Sequence, residues 1–154
     1  MSAEQRLQDL GIALPPASAA AGNYATAART GALLFLSGKA PLPGPDGNRA
    51  RGRLGAEFSA DQGYELARSA TLDLLAVVRS ELGSLDRVAR IVEVQGALNT
   101  VPEFEDHARV LDGCSDLLAA VFGPRGLHAR SVLGVSSLRA GVPLVIRAVV
   151  EVAD

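Results

Sequence analysis

The apolar positions of the chain follow two periods, one helical and one strand-like. Between Ser59 and Gly83, the residues Tyr64, Ala67, Thr71, Leu74, Leu75, Val78 and Leu82 recur at helical steps, which predicts a helix with one buried face. Ser59 with Gln62 predicts a capping box that satisfies free N–H groups at its start, and Gly83 predicts its end. A second stripe of Phe104, Ala108, Leu111, Cys114, Leu118 and Val121 predicts another helix. Its expected start is a capping box of Thr100 and Glu103 with Pro102 in the first turn, and Gly113 is expected to bend or weaken its middle. A short helix over "AEQRLQDLGI" would turn Leu7 and Leu10 inward and stop at Gly11, Pro15 and Pro16.

The strand-like stretches alternate instead. In "VARIVEVQGALN", Val92, Val94 and Leu98 fall on one face and Glu93, Gln95 and Asn99 on the other, as in a sheet covered by helices on one side. "NYATAARTGALLFLSG" reads as strands Tyr24–Ala28 and Leu33–Ser37 around a turn at Thr30-Gly31. Two further strands, Leu127–Val135 and Pro143–Val152, flank "SSLRAG". The Gly- and Pro-rich segment 39–55 reads as a long loop with room for a short edge strand. The expected order is β-β-(β)-α-β-α-β-β, an α+β fold with two helices on one face of a mixed sheet. One domain over residues 1–154 is expected, residues 1–16 forming a helical extension.

Composition narrows the class. A chain of 154 residues with 48% apolar residues can bury a sizeable core. A net charge of −2 makes no case for binding nucleic acid. The single cysteine rules out an internal disulfide, and with only His107 and His128 beside it no metal site is expected. No apolar run reaches the roughly 20 residues that span a bilayer, and the amino terminus is too charged for a signal peptide. A cytoplasmic protein is the expectation. Neither a phosphate-binding loop nor a dinucleotide fingerprint is present, so no cofactor is expected.

Among chemical candidates, Cys114 on an apolar stripe reads as a buried, inert thiol. His107 reads as a solvated helix residue, and His128 as a packing residue without a catalytic role. Arg130 is different, because a guanidinium entering a strand must find a partner or stay wet. Alternation groups Arg130 with Val132 and Gly134. In the last strand Leu144, Ile146, Ala148 and Val150 suit the helices, leaving Arg147 and Glu151 on the other face. On this reading both arginines project from the uncovered face, beside Val132, Val145 and Val149. That face is too apolar to meet water, so a subunit interface should cover it. An arginine at its rim could grip a small carboxylate.

Five segments, in order, resemble the RidA/YjgF family, the reactive intermediate deaminases once labelled endoribonuclease L-PSP. They are "GNYATAARTGALLFLSGKAP", "SADQGYELAR", "LGSLDRVARIVEV", "PEFEDHARVLDGCSDLLAAVFG" and "GLHARSVLGVSSL", and they span nearly the whole chain. The longer second helix and the His-Ala-Arg-Ser form resemble the family's longer-chain branch. The resemblance implies a chorismate-mutase-like α+β fold and a homotrimer with ligand clefts between subunits. It implies that Arg130 holds the carboxylate of an imino, enamino or keto acid, that Tyr24, Ser37 and Gly38 line the cleft, and that Val132 stands near the ligand. One departure matters. Arg147 stands where the family's deaminases have a water-activating glutamate, and an arginine cannot accept a proton. Glu151 lies about 13 Å further along an extended chain, a poor substitute. Three functions follow from the resemblance: hydrolysis of imino or enamino acids to keto acids and ammonia, non-catalytic binding of small anions by Arg130 and Arg147 as a clamp, and, third, ribonuclease activity.

Overall fold

Local chemistry sets the longest helix. Ser59 Oγ accepts the Gln62 N–H at 3.1 Å, Gln62 Oε1 accepts the Ser59 N–H at 2.8 Å, and Gly83 closes the other end with φ +82°. This helix is α2, Ala60–Leu82, in a computed structural model that describes residues Met1–Asp154. Before it come α1 (Ala3–Asp9) and the hairpin of β1 (Ala27–Thr30) and β2 (Leu33–Leu36). After it come β3 (Val88–Asn99), α3 (His107–Phe122), β4 (Ala129–Val135) and β5 (Leu144–Val152). The strands form one sheet in the order β1-β2-β5-β3-β4, in which only β3 and β4 are parallel. Both long helices cover one face, and Leu144, Ile146, Ala148 and Val150 point into the core beneath them. The α+β architecture is therefore the expected one.

Several details differ from the sequence reading, each for a physical reason. The first strand begins at Ala27, so Tyr24 lies in the bend before it. Register shifts near Val88 and Ile91 break the alternation of β3, so Ile91 and Val94 enter the core while Val92 does not. Thr100 is not a helix cap. Its N–H is donated to the Val135 carbonyl at 3.2 Å, and α3 starts later, after Asp106. Ala108 faces out on α3. Gly113 sits inside an unbroken α3 and lets α2 approach, since a Cβ there would lie 2.0 Å from the Tyr64 carbonyl oxygen. Segment 39–55 forms no strand, only isolated bridges at Lys39 and Leu54.

The amino-terminal helix is part of the core. Leu7 and Ala3 are buried, whereas Leu10 stays 48% exposed at the helix end. Glu4 clasps the middle of the chain, with Oε2 2.5 Å from Arg79 and Oε1 accepting the Leu85 N–H at 2.9 Å. Burial pushes the Glu4 pKa up, but the Arg79 and Leu85 hydrogen bonds and the Arg79 charge outweigh it, and the carboxyl sits below its ordinary value. A depressed carboxyl stabilises the fold above its unfolded pKa, and this contribution is lost as pH falls through the folded value. Glu4→Gln is expected to lower the thermal midpoint by roughly 1–3 °C at neutral pH and hardly at all in strong acid, as followed by circular dichroism.

Candidate functional site

The residues expected to form a site fall in three places. Tyr24, Ser37 and Gly38 lie together at the end of β2, in the wall of a cavity of about 560 Å³. Ser37 Oγ donates to the Ala25 carbonyl at 2.7 Å, which ties the strand end to the segment carrying Tyr24. Gly38 is required by space, because a Cβ would meet Val145 Cγ1 at 2.5 Å. Tyr24 is 54% exposed at the mouth, its hydroxyl accepting the Ala21 N–H at 3.3 Å.

Arg147 occupies the face of the sheet opposite the helices. Its Nε and Nη2 both donate to Gln95 Oε1, at 2.9 and 2.7 Å, and Gln95 Nε2 donates to Glu93 at 2.9 Å. Phe35, Leu133, Val145 and Val149 share this open face, and Leu133 is 66% exposed. A hollow of about 300 Å³ there joins Gly38, Gln95, Ser131, Leu133, Val145 and Arg147. Glu151 is taken by Arg90 at 2.8 Å.

Arg130 corrects the sequence reading. Its register partner in the parallel pair is Val94, a core residue, so Arg130 and Val132 lie on the helix side of the sheet. Alternation groups the right residues, but the face is set by the α3 crossover, which covers β4. Arg130 and Arg147 therefore project from opposite faces, and one chain cannot close them into a clamp. Arg130 Nη1 pairs with Asp112 at 2.9 Å and donates to Ser115 Oγ at 3.0 Å. Val132 packs against the core beside it.

A residue given no role by sequence reasoning joins this group. His128 Nδ1 stands 2.6 Å from the Gly126 carbonyl, and Nε2 stands 2.9 Å from Ser115 Oγ. A carbonyl only accepts, so the network assigns the proton to Nδ1 and leaves Nε2 as an acceptor for the Ser115 hydroxyl. Arg130, Ser115 and His128 thus form one chain of hydrogen bonds at the open edge of the sheet. The available signal was the His-x-Arg spacing at a strand start, which puts both side chains on one face.

Other candidates carry less chemistry. A concavity of about 700 Å³ between the starts of α2 and α3 contains none of these residues, and its one cation, Arg109, is paired with Asp61 at 3.3 Å and stacked over the Tyr64 ring at 4.5 Å. Cys114 is fully buried, and burial pushes its thiol up to about 11, so it has no thiolate character at neutral pH. His107 packs edge-on against Phe104, with ring centroids 5.3 Å apart.

A mixed five-stranded sheet with two long helices on one face, and polar groups gathered at its edge and at one strand end, defines a chorismate-mutase-like α+β protein. Residues 4–146 match the family described as "YjgF/chorismate_mutase-like, putative endoribonuclease", and the chain belongs to this RidA/YjgF family. Protein TCP17 of Trypanosoma cruzi is 40% identical over 147 residues, covering 94% of this chain and 91% of that protein. A crystal structure described as a putative endoribonuclease from Shewanella oneidensis superposes with a TM-score of 0.93 at 32% identity, covering 99% of this chain and all of that one. E. coli TdcF, solved with bound serine, shares the fold at a TM-score of 0.62 and 20% identity, over 88% of this chain and 92% of its own.

Proposed function

We propose that the protein hydrolyses 2-imino or 2-enamino acids to 2-keto acids and ammonia, at clefts between the subunits of a homotrimer. The observation that carries this reading is the Arg130–Ser115–His128 chain of hydrogen bonds. A ligand carboxylate takes the guanidinium in the bidentate geometry that arginine favours, in place of Asp112. His128 Nε2, with Ser115, then accepts a proton from the attacking water, the work a glutamate performs elsewhere in the family. Water adds to the C=N carbon, the nitrogen is protonated and leaves as ammonia, and the keto acid remains. That a fold relative holds serine, itself a small carboxylate, supports a ligand of this size.

The need for neighbours has separate support. Tyr24, Ser37 and Gly38 lie at the end of β2, while Arg130 lies on β4, with β5 and β3 between them. Strands spaced about 4.8 Å apart put the two groups beyond the reach of one small ligand. A second subunit laid over the apolar open face would bring its own β4 edge toward that strand end. It would also cover Phe35, Leu133, Val145 and Val149.

A second reading, non-catalytic binding of small anions, is favoured by Arg147. The resemblance sets it where the family's deaminases carry a glutamate, and its guanidinium donates twice to Gln95. The ribonuclease in the family's description has less support, because the net charge is −2 and the two histidines serve different neighbours. The readings separate in one assay, in which an amino-acid oxidase generates the imine and keto-acid release is followed. Wild-type protein is expected to accelerate release, and His128→Ala to slow it by about a hundredfold to ten-thousandfold without abolishing binding of the keto acid. No acceleration by the wild type, with acceleration by Arg147→Glu, would select the binder.

A further inference from the structure

Lys39 is 7% exposed, yet it lies in the wall of the cavity at the end of β2. Its backbone is fixed to β5 on both sides, with Lys39 N–H donating to the Ile146 carbonyl at 2.8 Å and Ile146 N–H to the Lys39 carbonyl at 2.9 Å. The Lys39 backbone is thereby pinned to β5 at the cavity wall. Its ammonium has three donors, and the protein uses one, the bond from Nζ to Ser18 Oγ at 2.7 Å. None of the chain's ion pairs includes Lys39. A buried charge so sparsely partnered is stable only if something else meets it.

The rest of the lining has the same sign. Arg49 and Arg139 join Lys39 on the wall, against one carboxylate, Asp73. Asp73 is itself buried and spends an oxygen on the Ser18 N–H at 3.3 Å, so Ser18 stands between it and the ammonium. Arg49 is anchored by donating to the Pro41 carbonyl at 2.7 Å. Arg139 is carried on a turn whose next residue, Ala140, is the one non-glycine residue with a left-handed backbone, φ +56°. Strain of this kind persists where surrounding structure holds it, often beside a ligand site. Ala19, Ala21, Ala40, Val142 and Val145 leave only short apolar walls.

We infer that this cavity binds a small doubly charged anion, a dicarboxylate or a phosphate, with Lys39 at its base and Arg49 and Arg139 at its rim. Two negative charges balance the surplus of two cations that three basic groups leave over Asp73. The site shares Tyr24, Ser37 and Gly38 with the proposed cleft but does not use Arg130, His128 or Ser115, so the two readings can fail separately.

The test is calorimetric titration of the intact protein with malonate and with inorganic phosphate, against acetate and chloride at matched ionic strength. At least one dianion is expected to saturate, and whichever binds more tightly identifies the carboxylate or the phosphate source. Lys39→Met, which keeps the chain length and removes the charge, is expected to weaken that binding by about tenfold to a hundredfold. If Lys39→Met does not fold, Arg139→Ala on the exposed rim is expected to weaken binding in the same direction. The inference is overturned if neither dianion binds better than chloride, if both the Lys39 and Arg139 variants bind like the wild type, or if Arg130→Ala alone removes binding.

Discussion

Gly113→Ala is expected to cost the fold a large part of its stability, although intrinsic helix propensity favours alanine there by about 1 kcal/mol. The added Cβ would lie 2.0 Å from the Tyr64 carbonyl oxygen, 2.8 Å from its carbon and 3.2 Å from the Arg68 nitrogen. All three are backbone atoms of α2, so no side chain can swing away. Relief requires pushing α2 and α3 apart, which opens the packing around Val110, Leu111, Cys114 and Leu117. Overpacking of this severity costs roughly 3 kcal/mol or more, out of the 5–15 kcal/mol typical of a whole domain. Urea unfolding followed by far-ultraviolet circular dichroism should show the midpoint falling sharply or the transition lost. An alanine variant as stable as the wild type would mean that the helices do not cross at Gly113.

Arg130→Ala is expected to return keto-acid release to the uncatalysed rate while leaving the protein folded. The guanidinium sits at the sheet edge, and its partner Asp112 is itself accessible, so removing the pair costs at most about 1 kcal/mol of stability. The ligand loses its only proposed anchor, and Ser115 loses the donor that holds its hydroxyl toward His128. Arg130→Lys should restore little, since an ammonium offers a point charge without the planar fork that a carboxylate needs. The imine assay together with a thermal melt distinguishes the cases. Full activity in a folded Arg130→Ala variant would remove the anchor from the mechanism.

How far such features could be foreseen depended on whether they were local. The Ser59 and Gln62 box, the Gly83 stop and the core face of β5 rest on residues a few positions apart, and they stand as expected. The face taken by Arg130 does not rest on neighbours. It depends on α3 crossing over and laying β4 parallel to β3, which sets Arg130 opposite Val94. Val92 stays out of the core because an irregularity in β3 resets the alternation one residue before Glu93, and nothing in the valine itself marks it. Propensity marks Gly113 as a weak point because it concerns the single helix, whereas the residue's role is a contact with another. The partnership of His128 with Ser115 joins residues thirteen apart across a turn, and the charge surplus around Lys39 gathers segments as far apart as Lys39 and Arg139.

The position of β5 has a consequence for how the molecule comes into being on the ribosome. Chains emerge at about 5–20 residues per second, and segments fold as their partners become available. β5 is the last strand in the order of synthesis but stands third in the sheet, between β2 and β3. Until it emerges, the β1–β2 hairpin has no neighbour to join, and β3 has only β4 beside it. The amino-terminal helix waits as well, since the groove that receives Leu7 is built partly from α3. The nascent protein therefore carries an unzipped sheet until β5 has emerged. Loss of residues 143–154 would leave two fragments of sheet with nothing to join them.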